Sequence, residues 1–210
     1  MTVEDKGPHD DAHAAWLIDA GEPVYMLIGS LLTTELPVNG SKHHVLVGQG
    51  MTHPVQEHLV PLLEFFAVPR ALSEARDWLA WAEAPADLLE VFVERGIFAR
   101  VDTTSPLSAA ESLAELRVAP ECFAVEEGAG TDRYVGISSS PDGAPENFIS
   151  PELAQALWAD LGSGDIPSTV QRVAADSGQS QEVVARKILA SAAELIEQKL
   201  IRVEWVTVDE

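Results

Sequence analysis

Two stretches of the chain contain β-like runs with apolar residues, and each stretch is followed by apolar positions at helical spacing. In the first stretch, two β-like runs flank a glycine turn at residues 38–40, and the second run reads His-His-Val-Leu-Val. In the second stretch, two runs flank residues 128–130, and the second run reads Arg-Tyr-Val-Gly-Ile. Two β-like runs around a glycine turn predict one β-hairpin in each stretch.

A helical pattern follows each predicted hairpin. Thr52 and Ser150 are predicted N-caps, and Pro151 suits the first helical position because it has no N–H to leave unbonded. Apolar residues then recur every fourth position, which predicts one buried stripe on each helix. The stripes are Val55, Leu59 and Leu63 in the first half and Leu153, Leu157 and Leu161 in the second.

Two further helices and a short strand are predicted to close each half. In the second half, Gly178 ends the second helix and Ser180 caps the third, which runs to about Gln198. In the first half, Pro85 opens the third helix and Gly96 ends it. Short β-like runs at residues 97–101 and 200–206 follow.

The two halves therefore align as an internal repeat. Residues 27–50 lie over residues 117–140 without a gap, and the later blocks align in the same order. We predict an α+β protein of tandem winged-helix-like units, each a small antiparallel three-stranded sheet followed by three helices. The predicted organisation is a mobile tail at 1–15, a first unit at 16–102, a linker at 103–115 and a second unit at 116–206.

The charge of the chain narrows the range of partners. There are 34 acidic and 13 basic side chains, which gives a formal net charge of −21, and the acids are spread through both halves. Such a surface repels phosphate groups, whose recognition depends on Lys and Arg, so we expect no nucleic-acid binding. The N-terminus has no apolar signal segment and no run has the length of a membrane span, so we expect a cytoplasmic protein without membrane contact.

Few residues favour a catalytic or metal-binding interpretation. Cys122 is the single cysteine, and its predicted strand indicates a small core side chain. His53 and His58 are five positions apart, a spacing that does not place them on one helical face. His43 and His44 are strand neighbours that point to opposite sides, which disfavours a metal site. No phosphate-binding or catalytic motif occurs, and we predict no enzymatic activity and no cofactor.

Tryptophans are the remaining notable side chains. Trp78 and Trp81 lie three positions apart on one predicted helical face, which favours core packing and leaves an anchor for a partner as the alternative. Trp16 is predicted to open a short helix that docks on the body of the protein.

Four residue pairs of the second half, and the order of its elements, resemble those of a known family. The pairs are Leu157 and Trp158, Gly164 and Asp165, Thr169 and Val170, and Leu200 and Ile201. With the longer hairpin before the first helix, they resemble the PqqD-like family, whose members are peptide-recognition domains in pathways that modify ribosomally made peptides. The resemblance covers most of residues 116–206 and reaches residues 24–101 only through the repeat.

The resemblance implies a protein that binds a peptide and does not catalyse a reaction. The peptide would add as an extra strand to a free sheet edge, and its side chains would lie beside the third helix. In the second half, the implied binding residues are Tyr134, Val135, Gly136 and Ile137 on the edge and Val184, Arg186 and Lys187 on the helix. In the first half, they are His44, Val45, Leu46 and Val47.

The implied partners are a precursor peptide and the enzyme that modifies it. Two other functions stay open at this point: an adaptor subunit that docks other proteins in a complex, and a transcription regulator that uses a helix-turn-helix. The charge argues against the regulator, because recognition helices need basic residues. The sequence leaves homodimerisation open.

Overall fold

The computed structural model describes residues 21–35, 42–48, 51–127, 134–161 and 164–205. The predicted tail, Trp16 and both predicted glycine turns lie outside the described residues. Within the described residues the protein is a mixed α+β structure with small antiparallel sheets and seven α-helices.

The first half contains two sheets and three helices. Strand order is β5-β1-β6 in one sheet and β2-β3-β4 in the other. A 3₁₀ turn at Glu57–Leu59 precedes the first helix. The elements are β1 (Val24–Leu27), β2 (Ser30–Glu35), β3 (Lys42–Gly48), β4 (Met51–Val55), α1 (Val60–Phe66), β5 (Arg70–Ala71), α2 (Leu72–Trp81), α3 (Leu88–Glu94) and β6 (Phe98–Val101).

The described part of the second half has a similar order of elements. Its strands form the sheets β10-β9-β8 and β11-β7, and a π-helical turn at Ala156–Asp160 follows its first helix. The elements are β7 (Leu116–Pro120), β8 (Phe123–Glu127), β9 (Val135–Ser138), β10 (Asn147–Ile149), α5 (Pro151–Gln155), α6 (Ile166–Ser177), α7 (Gln181–Glu197) and β11 (Ile201–Trp205), and α4 (Pro106–Glu111) lies between the halves.

Strand pairing also corresponds between the halves. In the first half, β1 pairs with β6 along its length and with β5, where Val24 is opposite Ala71. In the second half, β7 pairs with β11, and an isolated bridge joins Arg117 to Asp165. In both halves, therefore, the strand that precedes the meander pairs with the strand that follows the last helix.

Strand β1 is buried on both faces, which explains its uninterrupted apolar sequence Val-Tyr-Met-Leu. Tyr25 and Leu27 belong to the core formed with the three helices of the first half. Val24 and Met26 point to the opposite face and belong to a second core, which includes the helices of the second half. The sheet of β1 thus lies between two apolar clusters.

The C-terminal strand contacts the first half through main-chain and indole groups. Gly29 N donates to Val203 O over 2.6 Å, and Trp205 Nε1 donates to Gly96 O over 2.9 Å. Gly96 has a φ of +67°, and a Cβ there would lie 3.1 Å from the indole nitrogen of Trp205. A side chain at residue 96 would therefore both strain the end of α3 and press on the indole.

The predicted first helix of the first half begins too early. Thr52 and Val55 lie in β4, which pairs with β3, and helical structure starts at Glu57. The prediction of an N-cap at Thr52 is therefore wrong, whereas Ser150 does accept a hydrogen bond from Leu153 N over 3.2 Å. Pro85 is also misassigned, because α3 begins at Leu88.

The segment predicted as a linker is largely structured. Residues of α4 and the turn after it pack on α6 and α7, and Ala109, Ala110 and Leu113 lie in the second core. Thr103 is also buried and donates to Glu22 O over 2.6 Å. The prediction of a plain linker at residues 103–115 therefore missed the helix Pro106–Glu111.

Tyr25 makes stability depend on pH in the alkaline range. Burial, and next the negative charge of Glu90, which accepts from the Tyr25 hydroxyl over 3.1 Å, raise the pKa of Tyr25 above its ordinary value near 10. An unfolded tyrosine loses its proton near pH 10, but the folded one keeps it to higher pH. The contribution to stability is therefore complete below about pH 10 and is lost as pH rises through the folded pKa. We expect urea midpoints to fall over this range and to fall less in Tyr25→Phe.

Candidate functional site

The two strands predicted as free edges are central strands. β9 pairs with β8 on one side and with β10 on the other, so residues 135–137 have neighbours on both sides. β3 lies between β2 and β4 in the same way. The prediction that a peptide adds along Tyr134, Val135, Gly136 and Ile137, or along His44, Val45, Leu46 and Val47, is therefore wrong. The main chain of each central strand is already hydrogen-bonded to two strands of its own sheet.

The helix residues predicted beside the peptide lie on different faces of α7. Val184 is buried in the second core and cannot line an open groove. Arg186 and Lys187 are exposed, and Lys187 Nζ donates to Gln179 Oε1 over 2.9 Å. Lys187 and Val184 precede Ser191 by four and seven residues and so lie near its side of the helix, but Val184 is buried, whereas Arg186 lies on another side.

The outer strands of the two meanders differ in how open they are to pairing. β4 contains Pro54, which has no N–H to donate and is typical of protected edge strands. β8 changes register between Ala124 and Glu126, and such a bulge also disfavours further pairing. The sequence of β10, Asn-Phe-Ile, contains no proline, and no register shift interrupts its three pairs with β9.

A groove with a volume of about 400 Å³ runs beside β10. One wall comes from the end of β10 and the start of α5, and the other wall comes from the C-terminal half of α7. The lining residues are Tyr134, Phe148, Ile149, Ser150, Leu153, Ser191, Glu194 and Gln198.

Strand geometry explains why aromatic rings reach this groove. Along the meander, Val135, Ile137 and Ile149 point to the core. Phe148 is opposite Gly136 in the β10–β9 pair and therefore points to the other face, where 53% of it is exposed. Tyr134 is exposed as well, so the groove offers two rings to a ligand.

The α7 wall is polar and partly bonded within itself. Ser191, Glu194 and Gln198 recur at the spacing of one helical face. Gln198 Nε2 donates to Glu194 Oε1 over 3.2 Å. On the opposite wall, the Ser150 hydroxyl caps α5. The groove therefore combines aromatic and aliphatic surface with a few fixed polar groups, the usual composition of a binding site.

Sequence analysis identified only Tyr134 among the lining residues. Phe148 escaped detection because Pro141, Gly143 and Pro145 just before it are typical of a turn, whereas residues 147–149 form β10. The polar wall could have been predicted from the sequence. Polar residues recur at helical spacing along α7 and its C-terminal cap: Lys187, Ser191, Glu194 and Gln198.

A second cavity, also of about 400 Å³, lies between the halves. Ser30 and Leu31 of β2 line it together with the preceding Gly29, and Ile201 and Val203 line it from β11. Two of its charged side chains, Arg202 and Glu121, form an ion pair. Arg202 Nη1 lies 3.3 Å from Glu121 Oε1, and the Ser30 hydroxyl donates to the same carboxylate.

The described contacts of Cys122 and His44 do not indicate catalysis or metal binding. Cys122 is buried in the turn between β7 and β8, with Sγ 3.7 Å from Leu200 O. Burial, and next the charge of Glu121, raise the pKa of the Cys122 thiol, which disfavours the nucleophilic thiolate. His44 Nδ1 lies 3.2 Å from Thr33 Oγ1. Where side chains are described, no three His, Cys, Asp or Glu residues converge.

Comparison with known proteins gives no family assignment. No family model, no curated protein and no solved structure matches the chain. Among the described helices, none combines the length and apolar character needed to cross a membrane. The functional proposals below therefore depend on the geometry and chemistry of this chain alone.

Proposed function

We propose that the protein is a non-enzymatic binding module that captures an extended peptide segment along β10 and the groove beside α7. The observation that carries this proposal is the position of the groove alongside an outer strand that has neither a proline nor a bulge. A segment paired outside β10 would direct alternate side chains toward the groove.

We interpret the scaffold as two winged-helix-like units, the second of which binds. The sheet order β5-β1-β6 supports this interpretation, because the strand between the first two helices and the strand after the third helix flank one central strand. The bridge from Arg117 to Asp165 stands at the corresponding place in the second half. The strand of the first unit that corresponds to β10 is β4, which contains Pro54.

The bound segment is expected to carry at least one large apolar side chain. β10 has only three residues and therefore provides few main-chain hydrogen bonds, so most of the affinity must come from side chains in the groove. Phe148, Tyr134 and Leu153 provide the apolar contact surface. A precursor peptide with its modifying enzyme remains the biological partner that we propose.

The test is selection from a library of random linear peptides on the full chain, followed by titration of the enriched peptides. We expect Phe148→Ala to weaken binding by about tenfold or more, as loss of a buried aromatic anchor does. Phe148 is exposed in the free protein, so its truncation should change stability little. Ser191→Trp should also weaken binding, because the indole would fill the groove.

Phe123→Ala is the matched control for this experiment. Phe123 is a similarly exposed phenylalanine (46%) on β8, the opposite outer strand of the same sheet, and it does not line the groove. Its truncation should leave the affinity unchanged. Equal loss in Phe123→Ala and Phe148→Ala, or full affinity in Phe148→Ala, would remove the groove from the proposal.

A further inference from the structure

A row of three aromatic rings crosses the surface of the first half, far in sequence from the groove. Phe65 stacks on Trp78 with ring centroids 5.4 Å apart and an interplanar angle of 23°. The centroids of Trp78 and Trp81 are 6.3 Å apart. We call Phe65, Trp78 and Trp81 the aromatic row.

Burial decreases along the aromatic row from one end to the other. Phe65 and Trp78 are half-buried and pack against the core of the first half. Trp81, at the end of α2, is 79% exposed, the largest exposure among the large apolar side chains that the structure describes. An indole left in water at this extent is a feature of interaction surfaces, where tryptophan often anchors a partner.

The inner end of the aromatic row already holds a guanidinium group. Arg70 Cζ lies 4.6 Å from the ring centroid of Phe65, and Arg70 Nε donates to Phe65 O over 3.1 Å. This geometry is a cation–π contact. One ring of the aromatic row, Phe65, therefore already contacts an arginine side chain. The outermost ring, Trp81, exposes its aromatic surface to solvent.

The charges around Trp81 favour a cation as well. Asp77 is exposed one helical turn before Trp81 on the same side of α2, and Glu83 is exposed two residues after it. Arg76, the basic residue of α2, lies about 140° around the helix from Trp81. A guanidinium stacked on Trp81 would therefore have carboxylates nearby and no adjacent basic side chain on its own helical face.

We propose that the aromatic row is a docking surface for an arginine-bearing segment of a basic partner protein. The net charge of −21 attracts such a partner and repels a second copy of this chain, which would bring the same charge to the contact. Arginine is favoured over lysine because a planar guanidinium stacks on an indole, whereas the ammonium group is compact and strongly hydrated.

The experiment compares blocked oligoarginine and oligolysine peptides of equal length, titrated into the full chain. We expect oligoarginine to bind about two- to fivefold more tightly, the range that an exposed cation–π contact gives. Trp81→Ala should abolish this preference and leave only salt-sensitive binding that is equal for both peptides. A preference that persists in Trp81→Ala, or no preference in the unmodified protein, overturns the proposal.

Two controls distinguish the aromatic row from the groove and from self-association. Phe123→Ala and Phe148→Ala should both retain the arginine preference, so failure of peptide capture at the groove and failure at the aromatic row give different results. Acrylamide quenching of the Trp81 fluorescence, obtained by subtracting the Trp81→Phe spectrum, should be that of an exposed indole. Shielding of Trp81 in the free monomer would mean that the chain's own residues cover it. Shielding that grows with protein concentration would mean that a second copy covers it. Either result overturns the proposal.

Discussion

Replacement of Phe66 by alanine is expected to lower the free energy of unfolding by about 3–5 kcal/mol. Phe66 is fully buried (0% exposed) at the end of α1. Its ring centroid lies 4.5 Å from that of Phe98 and 5.0 Å from that of Phe65. Truncation would remove both ring contacts and leave a cavity that the surrounding helices cannot fill without moving.

Phe65→Ala is the matched control for Phe66→Ala. Phe65 is the preceding residue of the same helix, but it is half-buried and contacts the partly exposed Trp78. We expect a clearly smaller loss in urea denaturation, because part of the truncated surface already faces water. A loss of unfolding free energy as large as that of Phe66→Ala would contradict the difference in burial between the two rings.

Leu113→Ala is expected to cost about 2–5 kcal/mol of unfolding free energy, which is the range for a buried leucine. Leu113 follows α4 in the segment that the sequence predicted as a linker, yet it is 1% exposed and belongs to the second core. A leucine in a true linker would be exposed, and its truncation would leave stability almost unchanged. The size of the loss therefore measures whether this segment is packed in the core.

The measurement for Leu113→Ala is again the urea midpoint and slope, with Leu107→Ala alongside. Leu107 lies in α4 itself but is only partly buried at the edge of the same core. We expect Leu107→Ala to lose less stability than Leu113→Ala. If neither variant changes the midpoint, α4 is not part of the core and the linker prediction is the correct one.

Residues that begin or end a helix through contacts within one turn of backbone were predicted correctly from the sequence. Gly178 ends α6 with a φ of +67°, and the side chain of Ser180 accepts a hydrogen bond from Val183 N at the start of α7. Ser150 caps α5 by accepting a hydrogen bond from Leu153 N over 3.2 Å. Each of these residues meets a requirement of its own local backbone, so distant parts of the chain do not alter its role.

The helix predicted at Thr52 shows where such reading fails. An N-cap residue followed by apolar positions at every fourth residue fits a helix, but the segment is also short enough to form a strand. Pairing of Thr52 with Val47 and of Pro54 with Val45 places it in β4. Partners far from a short apolar segment decide its conformation, and local propensity is only a weak preference.

The candidate site was predicted only in part, because here too contacts with distant segments decide how the strands pair. The sequence indicated the meander and the helix that border the groove, and it included the lining residue Tyr134. It placed the open edge one strand too early, because alternation shows that β9 has an apolar face but not how many strands pair with it. The return of residues 147–149 as β10 covers that edge and forms a new one beside α7.

The sequence alone determined the order of most strands and helices, the ends of α6 and α7 and the acidic charge. It also required that Val-Tyr-Met-Leu of β1 be buried. Only the tertiary structure decided that Phe148 borders a groove, that α4 is packed and that Trp81 faces solvent. The physical reason is that hydrophobic spacing records whether a side chain prefers to leave water, whereas the neighbour that covers it is set by contacts between distant segments.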